Sequence, residues 1–252
     1  MDKKLSSEIK KTLWATDFSN ESKFCLPYLK LFSEKLKTKN HALYVLPKFS
    51  DWIYETAFFN DEDLHKTIEK TKQQSLDKML NFSKQSEIRF DVDVVEGIES
   101  DEIINFSKSN NIDLIFVGRR GISEIEHILI GSTTSRLTRK SDIPVLVVPR
   151  EKKDAKVSTI LSPIDFSESS LFELNYSIAL AKQLGALLYV VHISEFFNIK
   201  VPVLKRDKLI EKINKKIEGI AAKHDYRIEN IIYDVGEPAQ KILEIAKTNE
   251  ID

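Results

Sequence analysis

With one cysteine in 252 residues, the chain has no means of closing an internal disulfide, and a reduced setting is expected. Glycine and proline are scarce, seven of each, and no tract is of low complexity, which argues against long flexible linkers. No run of about 18 apolar residues occurs, so no segment reads as a transmembrane helix. The opening stretch, Met1 to Lys11, is polar and charged and lacks the apolar region of a secretory signal. Charge of one sign is also missing. Lys and Arg number 38 against 39 Asp and Glu, for a net −1, without the basic excess of a surface that grips duplex nucleic acid or an anionic membrane. The five histidines, at 41, 65, 127, 192 and 224, show no paired ligand spacing, which speaks against a zinc site. A cytoplasmic protein with neither a membrane nor a nucleic-acid partner is the expectation.

What is present is a core. The hydrophobic fraction is 42%, and the length suits one or two domains. Cys25 falls on one helical stripe with Leu29, Phe32 and Leu36, which makes it a core residue rather than a redox site.

The chain also repeats itself. Thr12-Leu-Trp-Ala-Thr-Asp17-Phe-Ser-Asn-Glu-Ser22 recurs as Ile160-Leu-Ser-Pro-Ile-Asp165-Phe-Ser-Glu-Ser-Ser170. Leu43-Tyr44-Val45 pairs with Leu188-Tyr189-Val190, Val95-Glu-Gly97 with Asp234-Val-Gly236, and Asn110-Asn-Ile-Asp113 with Asn249-Glu-Ile-Asp252. Four short matches in one order indicate two homologous domains, 1–150 and 157–252, joined in the charged stretch Arg150 to Lys156.

In the first copy, apolar runs alternate with amphipathic ones. Thr12–Ala15, His41–Leu46, Arg89–Val95, Leu114–Val117 and Val145–Val148 read as strands. Ser19 caps the helix after the first strand, and further helices are expected over Asp61–Lys84, Ser100–Ser109 and Ser132–Arg139. Strands separated by helices give a parallel sheet with right-handed crossovers, the doubly wound α/β class. Ligands of such sheets bind beyond the carboxyl ends of the strands, where the strand order reverses.

The segment with chemistry follows Leu114–Val117. Gly118-Arg119-Arg120-Gly121 is followed by nine residues and then by Gly131-Ser132-Thr133. Gly118 and Gly121, lacking Cβ, let the backbone turn tightly and approach a phosphate. Gly131, Ser132 and Thr133 open a helix whose N–H groups and dipole favour an anion. Arg119 or Arg120 can add positive charge. Neither of the better-known loops is present: there is no Gly-x4-Gly-Lys-Ser/Thr, and no Gly-x-Gly-x-x-Gly after the first strand. A surface loop turned by its glycines would give the same spacing.

These residues resemble the universal stress protein family, whose ATP-binding branch carries the pattern Gly-x2-Gly-x9-Gly-Ser/Thr. Asp17-Phe-Ser and Ile143-Pro144-Val145-Leu-Val-Val-Pro149 are further points of similarity, and the likeness spans both copies. The resemblance implies two tandem Rossmann-like domains of the adenine nucleotide alpha hydrolase type, each with strand order 3-2-1-4-5. It implies ATP, with or without Mg, held by Val117, Gly118, Arg119, Gly121, Gly131, Ser132 and Thr133 at the phosphates. It puts Asp17 near ribose and adenine, and Thr16 and the main chain near Lys48 beside the base. Where family members often have His-Val, Pro47-Lys48 is read as the counterpart. Asp17 has an alternative role as a cap of the next helix.

The second copy keeps Asp165, and Val191-His192-Ile193 resembles the family's second-strand ending. It reaches only the counterpart of Asp113, so its domain is expected to lack the last two strands and the phosphate loop. The aromatic segment Phe49–Phe59 reads as packing rather than a lid over adenine, and His127 as a solvated loop residue. Lys205–Lys216 carries Leu209 and Ile213 at helical spacing, as the solvated face of a core helix does. The leading functional reading is an ATP-binding regulator of a stress response acting on an unknown protein partner, and not an enzyme. A slow ATPase or nucleotidyl-transfer enzyme, and a non-binding interaction module, are the alternatives. A homodimer through Val145–Val148 is also expected.

Overall fold

The computed structural model describes residues 8–47, 61–119, 130–149, 155–194 and 203–252. Lys48, the Phe49–Phe59 segment, Arg120, Gly121 and His127 lie outside the described residues. The chain divides into two compact units, Met1–Ala155 and Lys156–Asp252.

In the first unit the order is β1 (Lys11–Ala15), α1 (Asn20–Lys23), α2 (Leu26–Leu36), β2 (Lys39–Pro47), α3 (Asp61–Gln85), β3 (Phe90–Gly97), α4 (Glu99–Ser109), β4 (Leu114–Gly118), α5 (Ser132–Lys140) and β5 (Val145–Val148). The five strands form one parallel sheet, ordered β3-β2-β1-β4-β5. Alternation along the strands fills both faces, as a sheet covered by helices requires. One face presents Leu13, Ala15, Leu43, Val45, Ile115 and Val117 to Ile103 and Ile104 of α4 and Leu137 of α5. On the other, Trp14 stacks at 5.3 Å on Phe82 of α3 and at 5.6 Å on Phe90, while Phe32 of α2 meets Phe116 edge-on at 5.2 Å. Phe32 and Phe116, both fully buried, each contribute roughly 1.5–3 kcal/mol. Cys25 belongs to this core, wholly buried, and burial pushes its thiol far above the ordinary range.

The second unit runs β6 (Thr159–Pro163), α6 (Glu168–Leu184), β7 (Leu187–Ser194), α7 (Val203–Lys223), β8 (Asn230–Val235) and α8 (Pro238–Thr248). Its smaller sheet holds three parallel strands, β6-β7-β8. Leu174, Ile178, Ala181 and Leu184 of α6, Leu188, Val190 and Val191 of β7 and Ile217 of α7 are each buried.

The two units repeat at the level of single bonds. Asp113 accepts the N–H groups of Lys10 and Lys11 at 2.9 Å, and Asp252 those of Ser158 and Thr159 at 2.6 and 3.1 Å. In one place strand register departs from the sequence repeat. Ala15 lies beside Leu43 and Pro163 beside Val191, so the counterpart of Leu43-Tyr44-Val45 is Val191-His192-Ile193, not Leu188-Tyr189-Val190. Leu43-Tyr44-Val45 and Leu188-Tyr189-Val190 each set a tyrosine between buried aliphatic residues, and that local likeness hid a shift of register.

Candidate functional site

Beyond the carboxyl ends of β1 and β4, where the strand order reverses, lies a cavity of about 310 Å³. That volume is at the lower end for a small-molecule site. Its walls are built by three local structures.

The first is the β1–α1 turn. Asp17 Oδ1 accepts the Ser19 N–H at 3.0 Å and the Ser19 hydroxyl at 2.5 Å, and Ser19 Oγ in turn accepts the Ser22 N–H at 3.1 Å, capping α1. Thr16 is buried, shares a hydrogen bond of 2.9 Å with the Ser22 hydroxyl, and accepts the Phe18 N–H at 3.0 Å. These bonds hold Phe18 in the left-handed region, φ 64°, where a bulky side chain is rare. Its ring lies against Tyr44 at 5.0 Å with the Lys78 ammonium 4.0 Å above it. Thr16 and Asp17 both line the cavity.

The second is the passage from β4 to α5. The Arg119 N–H donates to Val148 O at 3.0 Å, the Gly131 N–H to Arg119 O at 2.8 Å, and the Thr134 hydroxyl to Gly118 O at 2.9 Å. These bonds bring the start of α5 to the end of β4. Gly131 is the N-cap and no side chain caps the helix, so its first-turn N–H groups have no internal acceptor. Val117, Gly118, Gly131, Ser132, Thr133 and Thr134 line the cavity; Arg119 does not. Gly118 has a reason the sequence did not suggest. A Cβ there would come within 2.6 Å of Glu21 O and 2.8 Å of its carbonyl carbon. The glycine is needed for α1 to pack on β4, and its φ is not in the left-handed region.

The third wall comes from β2 and α4, with Tyr44, Val45, Pro47, Glu99 and Ile103. Of these only Pro47, in the pair Pro47-Lys48, stood near the base in the sequence reading; Tyr44, Val45, Glu99 and Ile103 did not. The signal for Tyr44 and Val45 was present in the second copy: His192 occupies the place of Tyr44, stacks on Phe166 at 4.7 Å as Tyr44 does on Phe18, and is followed by Ile193. Burial, with Asp17 and Glu99 adding to it, raises the Tyr44 phenol above its ordinary pKa. It is therefore a neutral hydrogen-bonding group at physiological pH.

The universal stress protein family matches residues 8–149 and 156–252. The chain belongs to that family. A universal stress protein of Methanocaldococcus jannaschii is 30% identical over 162 residues, covering 58% of this chain and 99% of the relative. A second from the same organism is 26% identical over 145 residues, with 58% and 85% covered. The solved structure of a universal stress protein from Archaeoglobus fulgidus shares the fold, with a TM-score of 0.69 and 23% identity, over 96% of this chain and 84% of that one. Within this universal stress protein, Asp165 repeats the Asp17 turn. Its Oδ1 accepts the Ser167 N–H at 2.9 Å, Ser167 caps α6, and Phe166 stands at φ 66°. Among the described residues, no helix is long and apolar enough to cross a membrane.

Proposed function

We propose that the first unit binds ATP in this cavity and that the bound nucleotide tunes affinity for a protein partner in a cytoplasmic stress response. One observation carries the reading: a cavity at the reversal of strand order opens on a helix N-terminus that no side chain caps. Anions are favoured there by unpaired N–H groups and by the helix dipole. Ser132 and Thr133, with Gly131 between them and Gly118, would receive the phosphates, and Val117 the adjoining edge of the sugar. Arg119 and Gly121, in the same loop, would add charge and close approach. Asp17 accepts from ribose or base, and Thr16, Tyr44 and Val45 flank the base, with Lys48 three residues beyond Val45 along the chain. The described residues gather no three His, Cys, Asp or Glu side chains able to hold a metal ion, so Mg would enter on phosphate oxygens. Regulation then needs only that the nucleotide bind two states of the protein unequally.

Titration calorimetry tests the site. Wild type is expected to bind one ATP per chain, and Gly131→Val to lose most of that affinity, because a branched side chain at the N-cap fills the space the phosphates need. Equal affinity in both proteins refutes the site.

A further inference from the structure

The start of α4 brings an acid to the cavity wall. Glu99 is the first residue of α4, at the end of β3, and it lines the same cavity as Asp17 and Tyr44. Both carboxylates bear on the Tyr44 phenol. Glu99 is half-buried and makes no hydrogen bond or salt bridge among the described residues. The cavity is thus lined both by backbone donors at the start of α5 and by two carboxylates that share Tyr44 as a neighbour.

The second unit shows where an acid sits when it serves the helix alone. Strand register pairs Tyr44 with Val94 and His192 with Tyr233, which makes Glu237 the counterpart of Ile98 and Pro238 the counterpart of Glu99. In α8 the acid sits at the N-cap and turns onto its own helix, accepting the N–H groups of Ala239 and Gln240 at 3.2 and 2.7 Å. In α4 the N-cap is Ile98, with no side-chain cap, and the acid comes one residue later, facing the cavity. An acid in that first turn favours the helix dipole but makes no capping hydrogen bond, so its carboxylate is left for other donors. Its position suits a ligand.

We propose that Glu99, together with Asp17, makes the cavity selective for nucleoside 5′-polyphosphates with unmodified ribose hydroxyls and rejects nucleotides phosphorylated on the 2′ or 3′ oxygen. The inference rests on the nucleotide reading above. With the 5′-phosphates on α5, the ribose and base extend toward β1, β2 and β3. A hydroxyl or amine there donates to a carboxylate. A phosphate there meets two like charges in a partly water-excluded cleft, where repulsion over a few ångströms is stronger than in bulk water. Discrimination of this kind works by penalising the wrong ligand.

The experiment compares ADP with adenosine 3′,5′-bisphosphate, which have the same base, sugar and number of phosphates and differ in where the second phosphate sits. Calorimetry on the full chain is expected to show ADP binding at least about tenfold tighter, a gap that narrows as salt screens the carboxylates. Glu99→Gln and Glu99→Pro should each shrink the ratio, and proline suits the first position of a helix, as Pro238 does in α8. Far-UV circular dichroism checks that both variants are folded, and either folded variant is sufficient. Equal affinity of wild type for the two ligands overturns the inference while the nucleotide site stands. An undiminished ratio in a folded variant also overturns it. Failure of wild type to bind ADP, ATP or the bisphosphate overturns the nucleotide reading itself, and this inference with it.

Discussion

Asp17 and Asp165 occupy the same turn, each accepting from the serine two residues on, and Asp165 isolates what that turn does to a carboxylate. Hydrogen bonds from Ser167 and Ser170 hold Asp165 well below the usual carboxylate range, although it is exposed. An unfolded aspartate takes up its proton near pH 4. Below about pH 5 the unfolded chain therefore binds protons that the native Asp165 refuses, and stability falls as pH drops toward the native value. Asp165→Asn keeps an acceptor for the Ser167 N–H and removes this titration. Denaturation midpoints followed by circular dichroism between about pH 5 and pH 3 should fall less steeply in the variant than in wild type. Matching slopes would mean that the turn does not couple to pH. At this scale the sequence revealed residue types better than their reasons. Ser19 as a cap and Cys25 as core followed from local pattern. Gly118 looked like a phosphate-binding glycine, yet its missing Cβ is required by the backbone of Glu21, a contact invisible until α1 is placed on β4. Phe18 at φ 64° was equally hidden, because no propensity favours a bulky residue there.

The elements were legible where hydrophobic period and turn chemistry agreed. β4 reads as a buried run, and β3 alternates, with Phe90 packed on Trp14 and Val95 against the core on the opposite face. Register between strands was not legible, since neighbouring apolar residues satisfy a short alignment about equally well. That is why Pro47-Lys48 stood where Tyr44-Val45 belongs, and why Glu99 went unnoticed. The start of α4 offers a direct test of what an element lacks. Ile98 is its N-cap at φ −85°, ψ 120°, an extended geometry suited to a capping serine, and 54% of the isoleucine is exposed. Ile98→Ser should let the hydroxyl accept the N–H of Ser100 or Asp101 and raise stability by roughly 0.5–1 kcal/mol. Urea denaturation measures it. A variant no more stable than wild type would mean that Ile98 contributes as much by packing as a cap would add.

For the whole molecule, the tandem organisation was readable because weak repeats kept one order, three of the four in true register, and the family match covers both segments. Assembly is a different matter, because it depends on edges that a sequence does not label. β5 pairs with β4 through Ile115–Val145, Phe116–Leu146, Val117–Val147 and Gly118–Val148, and it ends the sheet. Its other side carries no strand among the described residues, and all four of its residues are aliphatic, with no charge or proline to deter pairing. The resemblance to universal stress proteins implies antiparallel pairing of this strand with another copy about a two-fold axis, the commonest closure for identical chains. Light scattering is therefore expected to return twice the 29.0 kDa of one chain. Leu146→Lys places an ammonium at the centre of that edge and should return the mass to a single chain. The substitution leaves the cavity untouched, because neither Leu146 nor any other β5 residue lines it. ATP affinity per chain should therefore persist in the variant, which separates loss of pairing from loss of folding. A wild-type mass of 29.0 kDa at every concentration would refute the dimer. A Leu146→Lys dimer would move the interface away from β5.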